Sequence, residues 1–179
     1  KLYRASAFLI KKKNIDYGDV QEVINIIKEH NFYDFNFKDN LLKSDEIGKL
    51  ASLISGYKEL RQILLTYQRK FAYKHHHDKL GVILDGRDIG TVVLPDANIK
   101  FFVTASLGVR TERRWKELIS VGQSTIKRHV EKDIRDRDKR DSNRKNSPLI
   151  ASQDAILIDT TKLEANEVFL LAKKYIEEY

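Results

Sequence analysis

The chain has 179 residues, 41% of them hydrophobic, and carries 33 Lys and Arg against 26 Asp and Glu, a formal charge of +7. That is enough apolar material for one full core, which excludes wholesale disorder, and no apolar run reaches the length of a membrane span. The absence of cysteine excludes disulfides, thiolate metal sites and cysteine nucleophiles, while the absence of methionine and the start at Lys1 predict a truncated, processed or partly observed polypeptide.

Residues 3–13 read as a helix with a basic end. Asp19 is placed to cap a helix that carries Val20, Val23, Ile24 and Ile27 on one face. Residues 31–43 alternate Phe32, Phe35 and Phe37 with polar residues and predict one or two short strands. Ser44 then caps a helix with Asp45 and Glu46 in its first turn, where acids suit the helix dipole. A longer helix comes next, with Leu60, Leu64, Tyr67 and Phe71 at helical spacing. In the second half the rhythm changes. The apolar runs 81–84, 99–103 and 155–158 suit buried parallel strands. Helical stretches lie between and after them, the last with Val168, Leu171, Ala172 and Tyr175 on one face. Strands alternating with helices predict an α/β fold with a mainly parallel sheet. Ligands in such folds sit beyond the carboxyl ends of the strands, which directs attention to Asp85 and the residues after it.

After Asp85 the chain reads Gly86-Arg87-Asp88-Ile89-Gly90-Thr91, ending at Pro95-Asp96. Acids there can hold a hydrated Mg²⁺ or orient an arginine, and an arginine grips phosphate with a planar fork of donors. A polar loop in which Asp88 caps the next element is an equal alternative. Residues 110–145 hold 13 Lys and Arg against 7 Asp and Glu, a net +6 that accounts for nearly all of the excess charge. Such a concentration points to an anionic ligand, either nucleotide phosphates or a nucleic acid backbone. Arg137, Arg140 and Arg144 share a helix face there, with Asp141 one turn from Arg137. Apolar anchors are limited to Ile126, Val130 and Ile134, which predicts a mobile, arginine-rich lid; a solvated helix laced with ion pairs is the plainer account. Arg110, Arg113 and Arg114 read as a basic helix face, with Trp115 beside them as core. His75-His76-His77 reads as a solvated loop. The segment 159–161 either borders a nucleotide base or caps the last helix.

Taken in order, these motifs resemble those of bacterial-type cytidylate kinases, nucleoside monophosphate kinases of the P-loop class. The resemblance runs from Leu2-Tyr3-Arg4-Ala5 through Ala51-Ser52, Leu60-Arg61 and the D-G-R-D-I-G-T string. It continues through Arg137-Asp138-Lys139-Arg140-Asp141-Ser142-Asn143-Arg144 to the segment ending in Asp159-Thr160. It implies a P-loop kinase-type parallel sheet flanked by helices, in a single domain over 1–179. Within that domain it implies a monophosphate-binding insert at 11–56 and a lid at 116–146.

The resemblance also implies roles. Tyr3 and Arg4 stack on and grip the monophosphate; Ser52 and Arg61 read the cytosine edge, with Asp88 beside them. Arg87 and Arg144 bind phosphate, Arg137 and Asp141 meet the sugar, and Arg137 and Arg140 belong to a lid over the ATP phosphates. Arg113 lies near the ATP base, and Asp85 is the strand-end acid near Mg²⁺, through water. Arg87, Asp88, Arg137 and Arg140 form the catalytic set. The implied activity is ATP-dependent phosphorylation of CMP or dCMP by a cytoplasmic monomer that needs neither nucleic acid nor membrane. The class motif G-x-x-x-x-G-K-[ST] does not occur in the sequence, so the chain as written is expected to be inactive. Rival readings are another small-molecule P-loop kinase, of UMP/CMP or shikimate type, and a basic nucleic-acid-binding module.

Overall fold

The computed structural model describes residues 1–74 and 81–179, which divide after Asp85 into two units. In the first, helices α1 (Leu2–Lys12), α2 (Val20–Glu29), α3 (Asp45–Ile54) and α4 (Lys58–Lys74) enclose one apolar core. Periodicity dictates which side chains enter it: Ala5, Leu9 and Ile10 from α1, Val23, Ile24 and Ile27 from α2, Ile47, Ala51 and Ile54 from α3, Leu60 and Leu64 from α4. The predicted caps form. Asp19 accepts from the Glu22 amide at 2.9 Å, and Ser44 Oγ from the Ile47 amide at 3.3 Å.

Two strand predictions are overturned here. Residues 31–43 form two 3₁₀ turns, Phe32–Asp34 and Asn40–Lys43. Asn31 and Asp39 accept bonds from the Tyr33 and Leu41 amides, so local side-chain-to-backbone bonding displaces a ladder. The aromatics pack on each other, Phe32 edge-on to Tyr67 at 5.4 Å and Phe35 against Phe37 at 5.1 Å. The run 81–84 is irregular, with Ile83 89% exposed, because among the described residues no strand pairs with it.

The second unit is α/β. Strand β1 (Phe101–Thr104) pairs in parallel with β2 (Ile156–Asp159), Phe101 opposite Ile156 and Thr104 opposite Asp159. Between them come α5 (Leu107–Ser120) and α6 (Lys127–Asn143), and α7 (Ala165–Glu177) comes after β2. The apolar runs at 99–103 and 155–158 are thus strands, each shifted by a residue or two. Helix α7 begins with a capping box between Glu164 and Glu167. The alternative of a cap at 159–161 therefore fails: Asp159 Oδ1 is turned to the amide and hydroxyl of Thr161. Trp115 is half-buried rather than core, and its indole N–H donates to the Thr125 carbonyl at 3.1 Å.

Candidate functional site

In the first unit, four of the sequence-predicted residues gather around α3. Arg61, 8% exposed, donates from Nη1 to the Ser55 carbonyl at 3.1 Å, at the carboxyl end of α3 where a cation is favoured. Its guanidinium lies over the Tyr3 ring, 5.5 Å from the centroid, a cation–π contact that holds it flat. Ser52 sits on the last turns of α3, half-buried, its carbonyl accepting from Ser55 Oγ at 2.8 Å. Arg4 reaches the other end of the helix. Its Nη1 donates to the carbonyls of Leu42 at 2.5 Å and Ser44 at 3.2 Å. Gly48 admits that guanidinium: a Cβ there would lie 2.8 Å from Arg4 Nη2.

In the second unit, the D-G-R-D-I-G-T segment makes a wide helical turn, Ile89–Val93, whose first bonds run from the Val92 and Val93 amides to the Asp88 carbonyl. The Asp88 side chain makes no capping bond and is 6% exposed, so its burial does not come from the capping role considered for it. Arg87 reaches α6, donating from Nε to Asp141 Oδ2 at 3.0 Å. Asp141 is 4% exposed and is met from two further sides by Arg137 Nε and Arg144 Nη1, each at 3.6 Å. A carboxylate is buried at such a position only if charges and hydrogen bonds replace its water. Three guanidiniums meet at this one carboxylate, a concentration of forked cationic donors of the kind that grips an anion. Arg144 Nε donates to the Ser147 carbonyl at 2.6 Å, and the Leu149 amide to the Asp141 carbonyl at 2.8 Å, so the chain folds back under the helix end. Arg140 stands exposed on the same helix.

The solvated-helix account of α6 also holds for its outer side. Arg135 pairs with Glu131 one turn away on the helix, whereas Lys127–Glu112 and Arg110–Asp138 link it to α5. The helix buries Val130 and Asp141, and Ile126 is exposed, so its apolar stripe is thinner than the sequence suggested.

Arg113 and Thr160 are brought together. Arg113 donates to the hydroxyl and carbonyl of Thr160 at 2.9 and 2.8 Å and to the Leu163 carbonyl at 2.8 Å, binding α5 to the turn after β2. Asp85 is exposed, and among the described residues no three His, Asp or Glu side chains cluster as a metal site. As a hard oxygen donor Asp85 still fits Mg²⁺ as one contributor beside phosphate oxygens. His75-His76-His77 lie outside the described residues. Sequence reasoning took Arg110 for part of a basic helix face and passed over Lys100. Arg110 bridges Ala105 and Asp138, and Lys100 holds the Pro95 carbonyl and the Asp154 carboxylate, each at 2.5 Å. Their partners are remote in the chain or backbone carbonyls, neither of which a local pattern reveals. Among the described residues no helix is long and apolar enough to cross a membrane.

The family model for cytidylate kinase matches residues 1–178. Curated relatives of that name are similar to the chain throughout. That of Rhodospirillum rubrum is 39% identical over 96% of this chain and 80% of its own length. That of Rickettsia felis is 40% identical over 98% and 77%, and that of Clostridioides difficile 39% over 93% and 79%.

Proposed function

The chain belongs to the cytidylate kinase family, and on that footing we propose that it transfers the γ-phosphoryl group of ATP to CMP or dCMP, giving ADP and CDP or dCDP. The structural observation that carries the reading is the buried Asp141 with Arg87, Arg137 and Arg144 around it. Such a cluster of forked guanidinium donors suits a phosphate or phosphosugar.

In the reaction a CMP phosphate oxygen attacks the γ-phosphorus in line, and the bond from that phosphorus to the β–γ bridging oxygen breaks, releasing ADP. No covalent enzyme intermediate forms, so the protein supplies position and charge. Arg87 and Arg144 hold the monophosphate, with Tyr3 and Arg4; Arg137 and Asp141 meet the sugar. Ser52, Arg61 and Asp88 read cytosine. Support for that role of Arg61 is its guanidinium, fixed against Tyr3 and Ser55 before any ligand arrives. Arg137 and Arg140 cover the ATP phosphates, and Arg113 lies by the ATP base. Mg²⁺ arriving with ATP would neutralise phosphate charge, with Asp85 as the protein group nearest in kind to its ligands. The glycine-rich motif that cradles ATP phosphates does not occur in residues 1–179, so that task is assigned to none of them. Both units are read as parts of one kinase domain, with 11–56 as the monophosphate-binding insert and 116–146 as the lid.

The test is product identification on the full-length protein. With MgATP and CMP, chromatography should show CDP and ADP appearing in equal amounts. ADP without CDP would mean hydrolysis and would overturn the transfer.

A further inference from the structure

Arg110, in the first turn of α5, has no role in the chemistry proposed for the other arginines. Its Nε donates to the carbonyl of Ala105, the residue directly after β1, at 2.9 Å. Its Nη1 donates to Asp138 Oδ2 of α6 at 2.6 Å. One guanidinium thus ties the end of a strand to two helices, which its fork of donors permits and an ammonium does poorly. Asp138 comes directly after Arg137 and lies one turn from Asp141. The other ties described lie earlier on the helix, where Lys127 pairs with Glu112 of α5 and Ile134 is half-buried. The helix's buried residues are Val130, two turns earlier, and Asp141 itself, which belongs to the arginine cluster. A helix with so thin an apolar stripe can roll about its axis, and rolling re-aims every long side chain it carries.

We infer that Arg110 and Asp138 form a positioning pair that sets the roll of α6 and so aims Arg137, Arg140 and Arg144 at the phosphates. The inference rests on the kinase reading. Both side chains are 36% exposed, so the pair adds little to stability, and its effect falls on geometry. Misaligned arginines bind the ground state nearly as well but meet the transition state poorly, so kcat should suffer more than KM.

The experiment compares Arg110→Gln, Asp138→Asn and the double variant with the unaltered full-length enzyme, by kcat, KM for CMP, melting temperature and hydrogen exchange along α6. Each single variant should lose about tenfold in kcat with KM for CMP within about threefold and Tm within about 3 °C. The double variant should be no slower than the worse single one, since both remove the same contact. Asp138→Glu, which keeps the charge, should recover most of the rate, and amides of 131–143 should exchange faster in the Gln and Asn variants. If Arg110→Gln fails to fold, Asp138→Asn carries the same test, because it leaves the bond to Ala105 in place. The pair is refuted by kcat within about twofold of the unaltered enzyme, by losses that multiply in the double variant, or by losses that track Tm. An unaltered enzyme without CMP kinase activity would remove the kinase reading and this inference with it.

Discussion

Arg87 Nε lies 3.0 Å from Asp141 Oδ2, joining the loop after residue 85 to a helix 54 residues further on. The guanidinium is 42% exposed on its side chain while the carboxylate is buried, so Arg87 holds Asp141 on one side and faces solvent on the other. Arg87→Lys keeps the charge and loses the fork. If Arg87 holds the CMP phosphate as proposed, losing one charge-assisted contact should cost about 2–4 kcal/mol, roughly a 30- to 1,000-fold drop in rate on CMP. The melting temperature should barely move, because a lysine still neutralises Asp141. A near-normal rate would take Arg87 out of the site.

Asp141→Asn tests the same cluster from within. It leaves three guanidiniums without their shared buried countercharge. Breaking a fully buried pair costs several kcal/mol, but two of these arginines are more than a third exposed, so about 1–3 kcal/mol is expected. Thermal melts should fall by about 3–10 °C, and inorganic phosphate should restore more of the variant's stability than it adds to the unaltered protein. An unchanged melt would mean that the arginines do not depend on this carboxylate.

Much of the fold was legible from the sequence, and the limits have physical causes. Helices α1 to α4 arise from apolar spacing, and Asp19 and Ser44 cap α2 and α3 as their positions required. The parallel pair of strands arises from two short apolar runs. Residues 31–43 misled because Phe32, Phe35 and Phe37 alternate as in a strand, yet Asn31 and Asp39 bond their own backbone. The candidate site was legible as a set of residue types. The grouping of Arg137, Arg144 and Asp141 on one helix was legible too; the arrival of Arg87 beside Asp141 was not, because that contact spans 54 residues.

His30 should make stability depend on pH. Among the described residues its buried Nε2 has no hydrogen-bond partner, and its ring packs edge-on to Phe32 at 4.9 Å and Phe35 at 5.8 Å. Burial lowers its pKa, the charge of Lys13 adds to that, and Asp34 opposes it. The unfolded chain, with histidine near 6.5, therefore binds the proton more readily than the folded one. Stability from the neutral ring is complete above about pH 6.5 and is lost as pH falls below it. Melts at pH 7.5 and 5.5 should show a larger acid loss in the unaltered protein than in His30→Phe. Equal losses would show that His30 titrates without consequence.

The thin anchoring of α6 predicts that residues 121–146 exchange amide hydrogens readily in the free protein and become protected when both nucleotides bind. Exchange measured with CMP alone, ATP alone and both separates monophosphate binding from lid closure. Full protection in the free state would end the lid assignment.

Ser52, Arg61 and Asp88 are proposed to read the base, and selectivity for the cytosine monophosphates follows from them. It is tested most directly by kcat/KM of the full-length protein for CMP, dCMP, UMP and AMP under one set of conditions. Groups that hydrogen-bond a base reject one with the wrong edge by leaving buried polar atoms unpaired. CMP and dCMP should therefore exceed UMP and AMP by about a hundredfold or more. Equal efficiency on AMP would contradict the account.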